Sequence, residues 1–321
     1  MNRHFLIDTD TASDDAVALI MALRAPDVEV VAITTVAGNV GVDQATSNAL
    51  YTVELCSATV PVYRGAPKPL HRPLQDATWF HGKDGLGDKG YSPASSKPSA
   101  GEAVDIILDS IARYPDLELV TLGPLTNIAL ALQRRPSLAA RLKRCVLMGG
   151  APCCVGNVTP AAEYNIWTDP EAAQIVLRSG LPVDLIGWHL CRGQAVLNPA
   201  DIAHTLALNT GLARFAIDCN GHARHAFLEQ TGEDGISLPD PVAMAIALDR
   251  TIATNWSRRH VDVEISSELT RGMTVVDELN VSGNFRNRQV WSDFQGQPEA
   301  TDVCWTMDAP RWKQALYRAL A

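Results

Sequence analysis

Short apolar runs rich in Val and Ile alternate along most of this chain with longer stretches that have the periodicity of helices. Runs of this length, bounded by turn residues, are typical of strands buried in a sheet. The predicted strands cover residues 5–7, 28–35, 117–122, 145–148, 183–186, 260–265 and 273–276. The predicted helices cover residues 14–23, 43–56, 101–114, 125–133, 170–179, 210–229 and 241–249. This alternation predicts an α/β fold with an open, mostly parallel twisted sheet flanked by helices.

Two parts of the chain depart from this alternation. Residues 61–99 are rich in Pro, Gly and Ser, which predicts a long loop of the kind that lies near functional sites. After Asp249 the pattern changes to strands and polar turns such as residues 280–284, which predicts a small C-terminal β appendage to the sheet. A chain of 321 residues with 46% hydrophobic content can bury one large core, so we expect a single domain over residues 1–321.

The charge and hydropathy patterns limit the classes of partner. The chain has 36 acidic and 27 basic residues and a net charge of -9, so we expect no nucleic-acid partner. No uncharged run reaches the ~20 residues that span a bilayer, so we expect no membrane partner. The first acid, Asp8, follows an apolar run of three residues, which is too short for the core of a signal peptide. We therefore expect a cytoplasmic protein whose seven cysteines are reduced thiols.

The strongest local signal is a loop with four carboxylates in eight residues, at Asp8, Asp10, Asp14 and Asp15, between the first strand and the first helix. Acids this close repel one another, and a hard divalent cation relieves the repulsion. Capping of the helix and its dipole would explain two of the acids but not four. Calcium is favoured over magnesium because it accepts more than six oxygen ligands, and the loop has no His or Cys for zinc.

Further polar residues follow the next predicted strands. Asn39 follows the second strand, residues 123–127 follow the third and residues 148–165 follow the fourth. In an open parallel sheet, ligands bind at the carboxyl edge of the strands. The sequence therefore predicts one polar site at this edge.

These motifs, taken in order, resemble the inosine-uridine preferring nucleoside hydrolase family, whose members are calcium-dependent ribonucleoside N-glycosidases. The resemblance opens with the family's Asp-x-Asp-x-x-x-Asp-Asp loop at residues 8–15 and spans most of the chain. It continues at residues 36–39, 81–87, 123–129, 148–150, 156–157, 163–165, 169–173 and 240–241. One such match would be weak, but this many in the same order are highly specific.

The resemblance implies a role for each matching residue. The carboxylates of Asp10, Asp15 and Asp240 and the backbone carbonyl of Leu122 would bind Ca²⁺, and Asp10 would deprotonate the water that the ion holds. The residues that match the ribose-hydroxyl binders are Asp14, Asn39, Asn157, Glu163 and Asn165. Tyr164 would lie against the sugar ring, and His81 would lie near the base. Alone, Asp240 could equally be a helix cap before a proline, and the loop residues could be turn or solvated side chains.

The implied reaction is hydrolysis of the N-glycosidic bond of a ribonucleoside to ribose and a free base, as in purine and pyrimidine salvage. It would proceed by direct displacement with inversion, through the cationic sugar that glycosidases also form. The 2' and 3' hydroxyls would bind the same ion, so much of the rate gain would be positional. The partner implied is a nucleoside, and the family resemblance also implies a homodimer or homotetramer.

The sequence departs from the family in two places. Many members have His before the acid that matches Asp240, and a purine-specific branch has Trp, whereas this chain has Pro239. Proline cannot protonate a leaving base, so we expect His81 to assist it. The alternatives are His222, Arg224 and His225, which could also form an ordinary solvated helix face. The acid loop reads Thr11-Ala12 where the family usually has Pro-Gly.

Two other functions compete with this interpretation. A haloacid-dehalogenase-like phosphatase would use an Asp8-x-Asp10 loop with magnesium and an aspartyl phosphate, but it gives no role to Asp14 or Asp15. A nucleoside- or ribose-binding protein could keep the sugar site and lose turnover. Pro239 suggests this alternative because it cannot protonate a leaving base.

Overall fold

The computed structural model describes residues 2–288 and 301–321, and its centre is an eight-stranded sheet with the order β3-β2-β1-β4-β5-β6-β10-β7. Neighbouring strands are parallel except for the edge strand β7, which is antiparallel to β10. The strands of this sheet are β1 Arg3–Thr9, β2 Val28–Thr35, β3 Val62–Tyr63, β4 Glu118–Thr121, β5 Arg144–Met148, β6 Val183–Ile186, β7 Ala253–Arg259 and β10 Thr301–Met307. A separate antiparallel pair consists of β8 Val261–Val263 and β9 Thr274–Val276.

Helices cover both faces of the sheet. They are α1 Ser13–Leu23, α2 Val42–Leu55, α3 Thr78–His81, α4 Ala103–Arg113, α5 Thr126–Arg134, α6 Tyr164–Thr168, α7 Pro170–Arg178, α8 Pro199–Ala207, α9 Gly211–Asp218, α10 Gly221–Thr231, α11 Pro239–Leu248, α12 Phe285–Arg288 and α13 Ala309–Leu320. Within the part of the chain that the structure describes, no helix is long and apolar enough to cross a bilayer.

The sheet separates two hydrophobic cores. Successive side chains of a strand point to opposite faces, and in β1 the side chains of Phe5 and Ile7 join one core while Leu6 joins the other. The first core includes α1, α2, α11 and α13, and the second includes α4, α5 and α7. The parallel strands therefore read as continuous apolar runs, because both of their faces are covered.

The helix α1 lies in the interior, and its position brings the acid loop to its partners. Residues 13–22 are all buried, and α1 packs against α11, which is almost equally buried. A helix that is buried on all sides is apolar all round, as residues 16–22 are. The packing of α1 against α11 places the first turns of both helices, and so Asp14, Asp15 and Asp240, at the same edge of the sheet.

The structure confirms the predicted fold class and differs from the predicted elements in several places. The strand β3 and the helices α3, α6, α8, α12 and α13 were not predicted. The predicted helix 210–229 is two helices, α9 and α10, with a break at residues 219–220. The predicted strands near 260–265 and 273–276 pair with each other rather than extend the main sheet. The sequence analysis missed β7 and β10, which complete the main sheet, because both have alternating polar residues and lie after the regular βα pattern has ended.

Candidate active site

Asp10 lies directly after β1, in a slot formed by two glycines. A Cβ atom on Gly38 would lie 2.0 Å from Oδ2 of Asp10, and one on Gly123 would lie 2.6 Å from its Oδ1. The backbone N–H of Asn39 donates a 2.6 Å hydrogen bond to Oδ2. Burial, and then the charge of Asp15, raise the pKa of Asp10 well above its usual range. The backbone therefore fixes one oxygen of Asp10, and among the described residues the buried Oδ1 has no hydrogen-bond partner.

Asp15 lies in the first turn of α1 and is held by hydrogen bonds on both oxygens. Its Oδ1 accepts from the Thr9 hydroxyl at 2.5 Å. Its Oδ2 accepts from the N–H of Ala12 at 3.0 Å and from Nδ2 of Asn39 at 3.3 Å. Burial, and then Asp14, raise the pKa of Asp15. Asn39 thus contacts both Asp10, through its backbone, and Asp15, through its side chain.

Asp14 and Asp240 complete the acidic cluster. One carboxylate oxygen from each of Asp14, Asp15 and Asp240 lies within 4.8 Å of the other two. Burial raises the pKa of Asp14 to about 6, and its buried Oδ1 has no hydrogen-bond partner in the described chain. Burial, and then the neighbouring acids, raise the pKa of Asp240 well above its usual range. Asp240 lies inside the first turn of α11 after Pro239, and the N-cap is Leu238, so Asp240 is not the helix cap that its sequence context suggests.

This cluster fits a divalent cation. Four buried acids repel one another, and two of their oxygens, Oδ1 of Asp10 and Oδ1 of Asp14, have no hydrogen-bond partner among residues 2–288 and 301–321. The donors are carboxylates, together with the carbonyl of Leu122 beside the cleft, and such oxygens are the ligands of hard cations. A bound cation would relieve the repulsion that raises these pKa values.

Asp8 belongs to a different hydrogen-bond network. Its Oδ1 accepts from the Thr34 hydroxyl at 2.5 Å and from Nδ2 of Asn127 at 2.8 Å. Burial raises the pKa of Asp8 to about 7. The sequence grouped Asp8 with Asp10, Asp14 and Asp15, but in the structure the fourth member of the cluster is Asp240. Asp8 instead anchors the turn that follows β4.

A polar wall of Asn157, Glu163, Tyr164 and Asn165 lines the same cleft as Asp14 and Asp240. Glu163 caps α6 and accepts from the N–H groups of Gly150 at 2.7 Å and Asn165 at 2.9 Å, and burial raises its pKa. Nδ2 of Asn165 donates to the carbonyl of Leu122 at 2.8 Å. Oδ1 of Asn157 accepts from the N–H of Tyr164 at 2.9 Å. The predicted sugar-binding residues thus lie together and next to the predicted cation ligands.

Tyr164 links this wall to the slot around Asp10. Its hydroxyl lies 2.8 Å from the carbonyl oxygen of Gly38 and 2.9 Å from that of Gln75, and both carbonyls are acceptors. Gly38 is the residue that contacts Asp10. Tyr164 therefore helps to hold the backbone that positions the acid.

Many of these residues line one cleft, whose empty space is about 690 Å³ when the part open to solvent is included, whereas Asp10 and Asp15 lie behind its lining. The sequence-predicted residues along it are Asp14, Asn39, His81, Leu122, Asn157, Glu163, Tyr164, Asn165 and Asp240. The lining residues that were not predicted from the sequence are Ala77, Trp79, Phe80, Met148, Val158, Trp188, Asn220, Ala223, Gln230, Ser237 and Pro239. Pro239 was noted in the sequence only because it replaces the family's His or Trp. Trp79 and Phe80 could have been found from their position next to His81 in the loop 61–99, whereas Trp188 and Asn220 come from distant segments with no motif.

His81 lies at the end of α3, inside the cleft. Its Nδ1 is 2.9 Å from the Ser13 hydroxyl and 3.8 Å from Oδ1 of Asp14, and its ring packs edge-on against Phe80. Burial lowers the pKa of His81 to about 4, although the charge of Asp15 acts in the opposite direction. The imidazole is therefore neutral near pH 7, and its tautomer is governed by the hydrogen bond to Ser13.

The other candidates for base protonation lie outside the cleft. The acids beside His222, Arg224 and His225 are Asp88 at 3.7 Å, Asp234 at 2.7 Å and Glu229 at 3.3 Å, respectively. Ala223, on the same helix, lines the cleft, and those three do not. The alternative of a solvated polar helix face describes them better.

Comparison with known proteins adds a family and several relatives. The model of the family described as inosine-uridine preferring nucleoside hydrolase matches residues 5–314. A non-specific ribonucleoside hydrolase of Salmonella enteritidis is 40% identical over 289 residues, 89% of this chain and 92% of that protein. A pyrimidine-specific ribonucleoside hydrolase of Shewanella is 39% identical over 300 residues, 90% of this chain and 91% of that protein. The solved structure of a plant nucleoside hydrolase superposes with a TM-score of 0.91 at 30% identity, covering 100% of this chain and 99% of the other.

Proposed function

This chain belongs to the inosine-uridine preferring nucleoside hydrolase family and hydrolyses the N-glycosidic bond of ribonucleosides, and on that premise we propose that it does so with bound calcium and with Asp10 as the base. The observation that carries this proposal is the cluster of four buried acids, of which Asp14 and Asp240 line the cleft, with unpartnered oxygens on Asp10 and Asp14 in the described chain. A phosphatase of the haloacid-dehalogenase type would leave this cluster and the polar wall without a role.

The proposed calcium ligands are carboxylate oxygens of Asp10, Asp15 and Asp240 and the carbonyl oxygen of Leu122. When bound there, calcium supplies positive charge that lowers the pKa of a water molecule and attracts the sugar hydroxyls. Asp14, whose oxygen lies in the same group as those of Asp15 and Asp240, is assigned to the sugar because it matches a ribose-hydroxyl binder of the family and lines the cleft.

Asp10 takes the proton from the attacking water. Its Oδ2 is occupied by the N–H of Asn39, and the slot between Gly38 and Gly123 prevents the carboxylate from moving aside. The other oxygen, Oδ1, is left to accept the proton. The water oxygen then bonds to the anomeric carbon on the face opposite the base, the carbon–nitrogen bond breaks, and its electron pair leaves with the base.

The polar wall binds the ribose. Asp14, Asn39, Asn157, Glu163 and Asn165 are the proposed partners of its hydroxyls, and Tyr164 lies against the ring. Several of these side chains are already fixed by hydrogen bonds to backbone groups, as Glu163 is by Gly150 and Asn165. Because these side chains are already ordered before the substrate arrives, binding costs little free energy for ordering them.

His81 is the proposed partner of the leaving base, because Pro239 has no proton to donate. If the Ser13 hydroxyl donates to Nδ1, the imidazole proton lies on Nε2 and is available to the base. The pKa of about 4 means that His81 acts as a neutral hydrogen-bond donor near pH 7 rather than as a stored cation. More of the rate enhancement would then come from the acid cluster and less from protonation of the leaving base.

We also propose a homodimer or homotetramer. Three large apolar side chains, Leu269, Leu279 and Phe285, are each more than 75% exposed, and they lie within 17 residues of one another in the chain. Contact with a second copy would cover such side chains. Light scattering measures the mass directly, and a monomer would contradict the proposal.

A panel of purine and pyrimidine nucleosides assayed for free ribose tests the proposed function. We expect release of ribose from at least one nucleoside, and we expect Asp10→Ala to abolish it and to weaken calcium binding in isothermal titration calorimetry. Nucleoside binding without release of ribose would favour the nucleoside-binding alternative. Phosphate release from an aryl phosphate would favour the phosphatase.

A further inference from the structure

Asn220 lies at the break between α9 and α10, fully buried, and it lines the cleft. Its Nδ2 donates to the carbonyl of Ala216 at 2.9 Å and lies 3.4 Å from the carbonyl of Ser13. Both neighbours are acceptors, so the amide nitrogen must face them, and the orientation of the carboxamide is fixed. Its oxygen, Oδ1, has no hydrogen-bond partner within residues 2–288 and 301–321.

Other polar side chains along this part of the cleft are engaged with protein groups. The Ser237 hydroxyl donates to the carbonyl of Cys191 at 2.8 Å, and Nε2 of Gln230 donates to the carbonyl of Asn157 at 2.7 Å. The cleft lining also includes Trp79, Phe80, Val158, Trp188, Ala223 and Pro239. A buried acceptor among mostly apolar side chains is unfavourable unless a donor reaches it.

We propose that Oδ1 of Asn220 accepts a hydrogen bond from an N–H group of the nucleobase and so selects bases that present one. This inference rests on the proposed function, because the base must lie in the part of the cleft beyond the sugar. The donor is a ring imide N–H or an exocyclic amine. Lone pairs on ring nitrogens or carbonyl oxygens at the same place would be repelled by Oδ1.

Asn220 is also linked to His81 through Ser13, and the test has to separate this link from recognition of the base. Its Nδ2 lies beside the carbonyl of Ser13, and the hydroxyl of Ser13 contacts His81. Loss of the side chain can therefore displace His81 and slow all substrates alike. Recognition of an N–H would instead change the preference between two bases that differ in that group.

The test compares kcat/KM for matched nucleosides in the wild type and in Asn220→Leu. Cytidine with pyrimidin-2-one riboside and adenosine with purine riboside remove an exocyclic amine without adding bulk. Uridine with 3-methyluridine and inosine with 1-methylinosine block a ring N–H. Because each ratio is compared between two proteins, differences in leaving-group reactivity cancel. We expect Asn220→Leu to lower the preference for the N–H partner about tenfold in one of the two sets, which identifies the donor.

Unchanged ratios in all four pairs, with ribose still released, would overturn the role of Asn220 and leave the proposed function intact. Absence of ribose release from every nucleoside by the wild type would instead remove both. If Asn220→Leu does not fold, Asn220→Ser replaces it. A serine hydroxyl can still donate to the carbonyl of Ala216, but it lacks the acceptor that Oδ1 of Asn220 offers to the base. Ser237→Ala is the matched control in the same cleft, and an equal change of ratio in this variant would also overturn the assignment.

Discussion

Gly38 packs so closely against Asp10 that a Cβ atom would lie 2.0 Å from the carboxylate oxygen Oδ2. We therefore expect Gly38→Ala to displace the proposed base and to lower kcat about 100-fold, since a misplacement of about 1 Å can cost that much. Gly41→Ala is the control, because a Cβ there meets no atom within 4 Å and its φ of -60° suits alanine. Equal kcat values for the two variants would show that the slot does not position the base.

The sugar hydroxyls provide the second prediction. If the ion held by the acid cluster and the carboxylate of Asp14 bind the 2' and 3' hydroxyls, a 2'-deoxynucleoside leaves buried polar groups without a partner. We expect its kcat/KM to be lower by about 10³-fold or more than that of the matching ribonucleoside. We expect Asp14→Ala to impair ribose binding and to reduce this preference. Equal kcat/KM values for adenosine and 2'-deoxyadenosine, or another matched pair that is hydrolysed, would remove binding of the diol from the account.

His81 can be tested with a substrate whose leaving group needs no proton. General acid assistance is typically worth about 10²–10⁴-fold, and p-nitrophenyl riboside does not require it. We expect His81→Ala to slow a natural nucleoside far more than the nitrophenyl substrate, and Ser13→Ala to produce a smaller effect of the same kind. Asp10→Ala should impair both substrates. Equal slowing of both substrates by His81→Ala would mean that His81 positions the sugar or the loop.

Much of this site could be predicted from the sequence, because its residues follow strands that end at one edge. Asp10, Asn39, Leu122 and the wall at residues 157–165 each follow an apolar strand, and a parallel sheet brings such positions together. The motif order then identified the distant Asp240, whose local context alone describes an ordinary helix start.

The remaining part of the site could not be predicted because it depends on packing between distant segments. Asn220 reaches the cleft only because the predicted helix 210–229 breaks beside it, and no turn signal other than Asn220-Gly221 marks that break. The sequence also grouped Asp8 with the other acids. Its side chain is held away from them by hydrogen bonds from Thr34 and Asn127, which are distant in the sequence and could not be recognised as its partners.

Stability at low pH is expected to depend on Glu118, at the opposite edge of the sheet. Its side chain is 4% exposed and bonds to Arg3 at 2.7 Å and Arg144 at 3.2 Å. Burial raises its pKa, but the two arginines outweigh burial and the pKa is lowered. A carboxylate with a lowered pKa contributes stability above its unfolded value of about 4.3, and this contribution disappears as the pH falls through the folded pKa.

We expect Glu118→Gln to lower the free energy of unfolding by about 1–3 kcal/mol at pH 7, because it removes charged hydrogen bonds between the buried Glu118 and two partly buried arginines. The difference from the wild type should stay constant down to about pH 5 and shrink below about pH 4. Urea denaturation at several pH values measures it, and the exposed Glu233→Gln should show almost no change. A difference that grows as the pH falls would contradict the sign of this linkage.

The most direct test of the account is the release of ribose by chelator-treated protein as calcium is added back. We predict almost no turnover in the chelator, saturable recovery with calcium, and a calcium requirement that rises by at least about tenfold in Asp15→Asn, which replaces a proposed ligand oxygen by an amide nitrogen. Full turnover in the chelator, or a calcium requirement that is the same in the wild type and in Asp15→Asn, would contradict a calcium site built by this acid cluster.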